Sequence, residues 1–390
     1  LESSVPCENI TDAAGMHIIP GVIDDQVHFR EPGATHKGDI ASESAAGALG
    51  GVTSYMDMPN NNPPACTIES LEEKYNIAEA QSTTNYSFYL GASNDNFQEI
   101  LKLDPQKNCG VKLFMGSSTG NMLVDNPDTL DAIFKGTPLL IATHCEDEAT
   151  IREALAAAKE KFGDDIPVAE HPNIRKREAC IKSTAKAIEY AVKYGSRLHI
   201  LHTSTSDEIQ MVLEAQKKNP KISFEVCVHY LWFCDKDYKE YGTKIKCNPA
   251  IKRESDMEAL RDAVRKGLPG AVATDHAPHL LSEKAGNYLQ APSGLPTLQH
   301  SLRMMLQLAK RGIFPIETVP QMMSHAPACT FGISRRGFIR EGYYADLVLL
   351  EEAKSQAVAP AYKCGWTPIA EEDLDFGIVH TFVKTIKALL

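Results

Sequence analysis

The stretch RLHILHTSTSDEIQMVLEAQK, residues 197–217, contains a whole structural unit. Residues 197–202 form a short, mostly apolar run with the length of a buried strand. Thr205 and Glu208 have the spacing of a capping box, which predicts a helix over 206–217. The same order of strand, turn and helix recurs along the chain. Strands are expected at 18–24 (IIPGVID), 52–58 (VTSYMDM), 86–91 (YSFYLG), 110–115 (GVKLFM), 138–143 (PLLIAT), 197–202 (RLHILH), 223–228 (SFEVCV) and 270–275 (GAVATD). Helices are expected at 39–49, 67–80, 147–161, 174–194, 206–217 and 255–266. Gly50 and Gly51 should stop the first long helix just before the second strand. Most of the strands are apolar on both faces, as parallel strands covered by helices are. Eight such units predict an α/β fold, a (β/α)8 barrel of the TIM type.

The two ends of the chain differ from this pattern. Residues from about 335 onward contain GFIREGYYADLVLLE, a Pro-rich stretch and VHTFVKTI, which read as short strands and turns. The first 15 or so residues are not barrel-like either. The expected division is a small β-sandwich domain from residues 1–17 and 335–390, with the barrel at 18–334. No internal repeat or low-complexity segment stands out.

Composition narrows the function. Of 390 residues, 43% are apolar and 23% charged, the profile of a globular protein rather than of a disordered chain or coiled coil. No apolar run approaches the ~18 residues of a membrane helix, so no membrane span is expected. A net charge of −11 argues against a broad nucleic-acid face, while leaving room for a local basic pocket. Ten scattered cysteines without a C-x-x-C pair suggest neither a zinc ribbon nor a disulfide framework, and a reduced cytoplasm is the simplest home. The opening residues show no basic stretch followed by an apolar one, so no secretory signal is expected. Leu1 in place of Met leads us to expect a native start upstream.

Catalytic side chains of such barrels stand at the C-terminal ends of the strands. Here those positions hold His28 and Arg30 after the first strand, Asn60 after the second, Lys112 within the fourth, His144 and His202 after the fifth and sixth, and Asp275 closing the eighth, followed by His276 and His279. A lone histidine at a strand end is more often a hydrogen-bonded core group than a ligand. Four strand ends that together offer three imidazoles and a carboxylate suit a metal such as zinc. His17, His36, His171, His300, His325 and His380 fall outside that pattern and are expected to be structural or on the surface. His199 has the opposite strand parity to His202 and is expected to face the helices. His229, ending the seventh strand, fits lining the site or packing beside it equally well.

Burial lowers a lysine's pKa toward the neutral amine. A neutral Lys112 can take up carbon dioxide and become an anionic carbamate ligand. The plainer alternative is a lysine whose stem packs in the strand while its head reaches solvent. Asp275 could both bind metal and accept the proton of a metal-activated water. Arg30 and His279 could grip a carboxylate, unless Arg30 simply pairs with Glu31.

These residues carry a resemblance. PGVIDDQVHFREPG (20–33), MDMPNNNPP (56–64), GVKLFMG (110–116), THCED (143–147), LHILHTST (198–205), KCNPAIK (246–252), ATDHAPH (273–279), APSG (291–294) and GYYADLVLLE (342–351) are similar, in order and across nearly the whole chain, to the dihydroorotases of the amidohydrolase superfamily. The resemblance implies reversible cyclisation of N-carbamoyl-L-aspartate to dihydroorotate in pyrimidine synthesis. It implies one or two zinc ions held by His28, a carbamylated Lys112, His144, His202 and Asp275, with Asp275 as general base and acid. It assigns the substrate carboxylate to Arg30, Asn60 and His279, and the rest of the ring to Asn248, Ser293 and Gly294. The partner implied is a small anionic substrate, and relatives are often homodimers.

One departure is informative. The family usually has H-x-H after the first strand, whereas this chain has Gln26, and an amide oxygen is a poorer zinc ligand than imidazole. One metal position should be weakened or lost. Some relatives use an Asp a few residues after Lys112, where this chain has Ser117 and Ser118. Two other functions stay open at this point. One is another cyclic amidase, acting on hydantoins or allantoin. The other is an inactive scaffold that has lost a ligand at Gln26.

Overall fold

The computed structural model describes residues 11–13, 15–116, 122–353 and 359–383. Ser117 and Ser118 lie outside the described residues, as do the extreme ends of the proposed terminal β unit.

The first expected strand divides in two. His17–Pro20 (β1) and Val22–Val27 (β2) are separate strands with Gly21 between them. A Cβ at Gly21 would lie 2.1 Å from the Thr53 hydroxyl, so only glycine lets the chain pass this close to the next strand. The other barrel strands are Val52–Asp57 (β3), Asn85–Gly91 (β4), Gly110–Phe114 (β5), Ile141–His144 (β6), Leu198–Ile200 (β7), Ile222–Cys227 (β8) and Ala271–Ala273 (β9). Among the described residues, β2 to β9 form one eight-stranded parallel sheet in sequence order. A bridge between Val27 and His276 and a 2.7 Å hydrogen bond from the His28 N–H to the His276 carbonyl bring its two ends together. The fold is the expected (β/α)8 barrel.

The helices fall close to expectation, at Ile40–Leu49, Ile68–Gln81, Glu148–Phe162, Arg177–Tyr194, Ser206–Gln216 and Glu254–Arg265. Gly50 caps the first, and Gly51 follows at φ 87°, a left-handed turn that returns the chain to β3. Thr205 caps its helix by accepting the Glu208 N–H at 3.2 Å. Glu208 does not return the bond to the Thr205 N–H. Its carboxylate takes the Thr205 hydroxyl at 2.9 Å and the Ser204 N–H at 3.2 Å.

Leu347–Glu351 (β10) and Gly377–Phe382 (β11) complete a separate antiparallel sheet in the order β1-β10-β11. Residues 359–376 run back across the barrel, and the Trp366 indole N–H donates to the His279 carbonyl at 2.7 Å. No helix among the described residues is long and apolar enough to cross a membrane.

Candidate active site

A cavity of about 490 Å³ opens at the C-terminal ends of the strands. Its lining includes every residue singled out from the sequence as ligand, catalyst or substrate contact: His28, Arg30, Asn60, Lys112, His144, His202, Asn248, Asp275, His279, Ser293 and Gly294. Gln26, Phe114, Ala277 and Pro292 complete it. Among the described residues, four that are not glycine have positive φ: Arg30, His202, Asp275 and Arg335. Three of the four line this cavity. Such conformations cost of order 1–3 kcal/mol each and persist only where the surroundings hold them. Here they turn side chains off the strand ends and into the mouth.

His202, at φ 38°, corrects the parity argument. β7 ends at Ile200, so alternation does not extend to residue 202. The left-handed turn swings His202 into the cavity while His199 also points into the barrel, not at the helices. The His199 Nε2 lies 3.2 Å from Asp25 Oδ2 and 3.3 Å from Glu225 Oε2. Its Nδ1 lies 2.7 Å from the Ser223 hydroxyl. Burial pushes His199 down, but hydrogen bonds and charge from Asp25 and Glu225 outweigh that and raise it to about 9. The spacing of these three groups would also admit a metal ion. Glu225 reaches the mouth above through its Oε1, which accepts the His202 N–H at 2.9 Å.

The chemistry of the donors fits a metal. The His28 Nδ1 lies 2.7 Å from the Asn60 side-chain oxygen, an acceptor only, so Nδ1 carries the proton. The Nε2 lone pair then faces Asp275 Oδ1 at 3.0 Å. Two acceptors that close call for a cation between them. His144 repeats the arrangement. Its Nε2 donates to Glu146 at 3.0 Å, which leaves the Nδ1 lone pair facing His202 Nε2 at 3.0 Å. The second ring nitrogen of His202 is buried without a partner. Burial, then the charges of His144 and Lys112, hold His202 well below the ordinary imidazole value, and neutral imidazole is the ligating form. Glu146 stays ionised: burial pushes it up, but Arg175 and His144 bring it down to about 2. A carboxylate behind a ligating histidine fixes its tautomer.

Lys112 is fully buried on β5, and no described residue accepts a hydrogen bond from it. Its ammonium sits 4.7 Å from the centre of the Phe114 ring, and burial lowers it to about 8. The head therefore does not reach solvent. Burial pushes the Asp275 carboxyl up, but when a proton rather than a metal sits on His28 Nε2, the hydrogen bond and charge of His28 outweigh it and hold it below the usual range. Gln26 points its amide nitrogen at Asp275 Oδ1, 3.1 Å away, while its amide oxygen is buried without a partner. It meets Asp275 as a hydrogen-bond donor.

At the other end of the cavity, Arg30 does not pair with Glu31, whose carboxylate instead accepts the Ile40 N–H. The Arg30 Nε donates to the Pro278 carbonyl at 3.1 Å, and its Nη2 lies 3.0 Å from His279 Nε2. Ser293 offers its carbonyl to His279 Nε2 at 3.1 Å. Gly294 has φ 132°, and a Cβ there would lie 2.7 Å from Ala277 Cβ. Lys284 holds this loop by donating to the carbonyls of Lys246, Pro292 and Gly294. The Asn248 side-chain oxygen is buried and unpartnered.

Other histidines settle as structural groups. His276 binds Glu43 at 2.8 Å, and His171 lies between Tyr288 and the Cys247 carbonyl. His229 is buried against Tyr230 outside the cavity lining, and burial lowers it to about 4. Glu146 and Glu225 escaped the sequence reading, although both sit inside segments it quoted. Their signal was a carboxylate two residues beyond His144 and a charged residue within an otherwise apolar strand.

The amidohydrolase family model matches residues 17–385. The chain is 32% identical over 360 residues to the dihydroorotase of Halobacterium salinarum, covering 91% of this chain and 82% of that protein. It is also 32% identical over 351 residues to the allantoinase of Bacillus velezensis, covering 88% and 76%. Among solved structures it resembles the L-hydantoinase of Arthrobacter aurescens, with a TM-score of 0.93 and 25% identity over 98% of this chain and 87% of that one. Barrel, strand-end site and sequence agree: this chain belongs to the amidohydrolase family and is a metal-dependent hydrolase.

Proposed function

We propose that the chain is a dihydroorotase, interconverting N-carbamoyl-L-aspartate and L-dihydroorotate in pyrimidine biosynthesis. One observation carries this reading. The cavity has an anion-binding end, where Arg30 and His279 stand 3.0 Å apart, and a separate hydrolytic end at Asp275. An uncharged ring needs only the second. The sequence likeness to allantoinase and the structural likeness to hydantoinase make the anion end the deciding feature.

His28, His144, His202, Asp275 and a carbamate on Lys112 would hold one or two zinc ions. Zinc there would supply Lewis acidity, both to activate water and to polarise the ring carbonyl. The protein's own groups do the rest. Arg30 and His279 hold the ring carboxylate, so that attack on the amide carbonyl is effectively intramolecular. The Asn248 oxygen accepts a ring N–H. Asp275 takes the proton of the attacking water and delivers it to the ring nitrogen as the amide bond breaks. In the opposite direction the same carboxylate deprotonates the ureido nitrogen. The setting we propose is the cytoplasm, where the described cysteines, all free, stay reduced.

Zinc content per chain, measured together with hydrolysis of dihydroorotate, dihydrouracil, hydantoin and allantoin, tests the reading. Bound zinc and a clear preference for dihydroorotate are expected. Preference for an uncharged ring or for allantoin would replace it with a hydantoinase-like or allantoinase-like assignment. No zinc and no turnover of any ring would favour a scaffold disabled at Gln26.

A further inference from the structure

His279 is contested from three sides. Near Nε2 lie the Arg30 Nη2 at 3.0 Å and the Ser293 carbonyl at 3.1 Å. Near Nδ1 lies the Lys37 ammonium at 3.2 Å. Arg30 and Lys37 can only donate, and the Ser293 carbonyl can only accept. A neutral ring has one N–H and one lone pair, so its tautomer follows from counting. With the proton on Nε2, Ser293 receives a hydrogen bond and Nδ1 accepts from Lys37. The one conflict left is between two donors, Arg30 and Nε2–H. With the proton on Nδ1, it opposes the Lys37 ammonium while the Nε2 lone pair opposes the Ser293 carbonyl. That is two conflicts, and the first tautomer wins.

Lys37 decides the outcome. Without it, Nδ1–H would meet no donor and would find Glu283 Oε2 at 3.9 Å, while Nε2 could accept from Arg30. Each tautomer would then carry one conflict, and the preference for Nε2–H would be lost. Lys37 is itself held in place by Glu283 at 2.8 Å, and Glu283 is fixed by the Leu280 N–H at 2.9 Å. The His279 backbone is anchored by Trp366. Burial, then Arg30, Lys37 and Lys284, push the imidazole down to about 2, so the ring is neutral at any working pH.

We propose that Lys37 is a positioning residue that locks neutral His279 with its proton on Nε2, so that Nε2–H and the Arg30 guanidinium stand as adjacent donors awaiting one anionic oxygen. The single conflict, between Arg30 and Nε2–H, is what a substrate carboxylate resolves by accepting from both. The claim deepens the dihydroorotase reading and rests on it for the identity of that carboxylate. The tautomer claim stands on the protein alone.

Two measurements on the zinc-loaded enzyme separate the two. The first is a long-range proton–nitrogen spectrum of histidine-labelled protein, with the His279 signals assigned by their loss in His279→Gln. Wild type should show Nε2 protonated and Nδ1 bare, Lys37→Met should show the reverse or an average, and Lys37→Arg should restore the wild-type pattern. Unchanged His279 signals in Lys37→Met would overturn the proposal. The second is steady-state kinetics. Lys37→Met should raise KM for dihydroorotate about tenfold, the scale of one weakened charged contact, with kcat within about twofold and dihydrouracil turnover unmoved. An equal loss on both rings would mean a structural role and would also overturn it. Should Lys37→Met fail to fold, Lys37→Leu, which likewise offers no donor, takes its place with the same expectations. A wild-type enzyme inactive on dihydroorotate defeats the substrate reading, and the spectrum alone then judges Lys37.

Discussion

Lys74 and Lys112 are both sealed inside this barrel, yet their surroundings treat them in opposite ways. The Lys74 ammonium donates to Asp57 Oδ2 at 2.6 Å, the Met58 carbonyl at 2.8 Å and the Asn61 side-chain oxygen at 2.8 Å. Its three hydrogens have three acceptors. Through Asp57, which also accepts the Phe29 N–H at 2.8 Å, it braces the turn that presents His28 and Arg30. Lys112 has an aromatic face and an open cavity and, among the described residues, no acceptor. Leaving a buried charge unsatisfied is costly. Of two buried lysines, one fully satisfied and one bare, only the second is available for the chemistry proposed. Burial alone does not distinguish them; their acceptors do.

Methionine at each position tests that contrast with the largest expected effects. Lys112→Met removes an unsatisfied charge, so the protein should fold with its melting temperature nearly unchanged. Turnover should fall by about 10³-fold, the scale of losing a group that acts at the reacting atoms. Lys74→Met strands the Asp57 carboxylate in the core and should cost about 3–5 kcal/mol of stability. Thermal unfolding and activity on both variants decide. The contrast breaks if Lys112→Met unfolds, or if Lys74→Met is stable and merely slow.

The next effect separates the two ends of the cavity. Asp275→Asn keeps the shape and removes the proposed base, so kcat should drop by about 10²–10⁴-fold with KM nearly unchanged. Arg30→Ala should do the reverse, raising KM by about 30- to 100-fold, in line with losing a charge-assisted contact. Comparable changes in kcat and KM for both variants would dissolve the division into a gripping end and a reacting end.

Much of this was legible in the chain. Strand and helix positions followed from apolar runs and caps, because those signals are local. The site followed because barrel topology converts eight strand ends into one rim. The misreadings share a physical cause. The His199 orientation was inferred from alternation, which fails where His202 turns left-handed, and β-branching or polarity does not announce that turn. The first strand reads as continuous through Gly21 in the sequence, whereas the chain breaks there, at its close approach to Thr53. Lys37 and Lys74 act through partners on other elements, so nothing beside them in sequence marks the role. Convergence of strand ends is a property of the fold, whereas the tautomer of a ring belongs to a handful of distances.

The lowered pKa of Lys112 gives a milder test of the same contrast. Only the neutral amine reacts with carbon dioxide. Burial brings Lys112 to about 8, so below that value the neutral fraction should rise about tenfold per pH unit and level off above it. Reactivation of metal-stripped enzyme by zinc, at fixed dissolved carbon dioxide, should therefore accelerate from pH 6 to 8 and flatten by 9. Burial as the ammonium is least favourable below about 8, and that cost is relieved toward the ordinary lysine range, so Lys112 should add stability as pH rises through this window. A flat pH profile, or reactivation indifferent to carbon dioxide, would return Lys112 to the same class as Lys74.

Gln26→His should have the smallest effect, and it bears on why the bare lysine is tolerated. Gln26 donates its amide hydrogen to Asp275 Oδ1, partly occupying the carboxylate from which a metal would draw charge. An imidazole there could present a lone pair instead and join His28 around a shared cation. Zinc content should rise toward two per chain, with zinc affinity up by about tenfold, within the 10–100-fold range that groups around a metal command. Activity should change less, because Asp275, Lys112 and the two histidines across the cavity are already in place. If zinc content stays the same, the Gln26 amide is not what limits the site, and its orphaned oxygen must be satisfied by substrate or water.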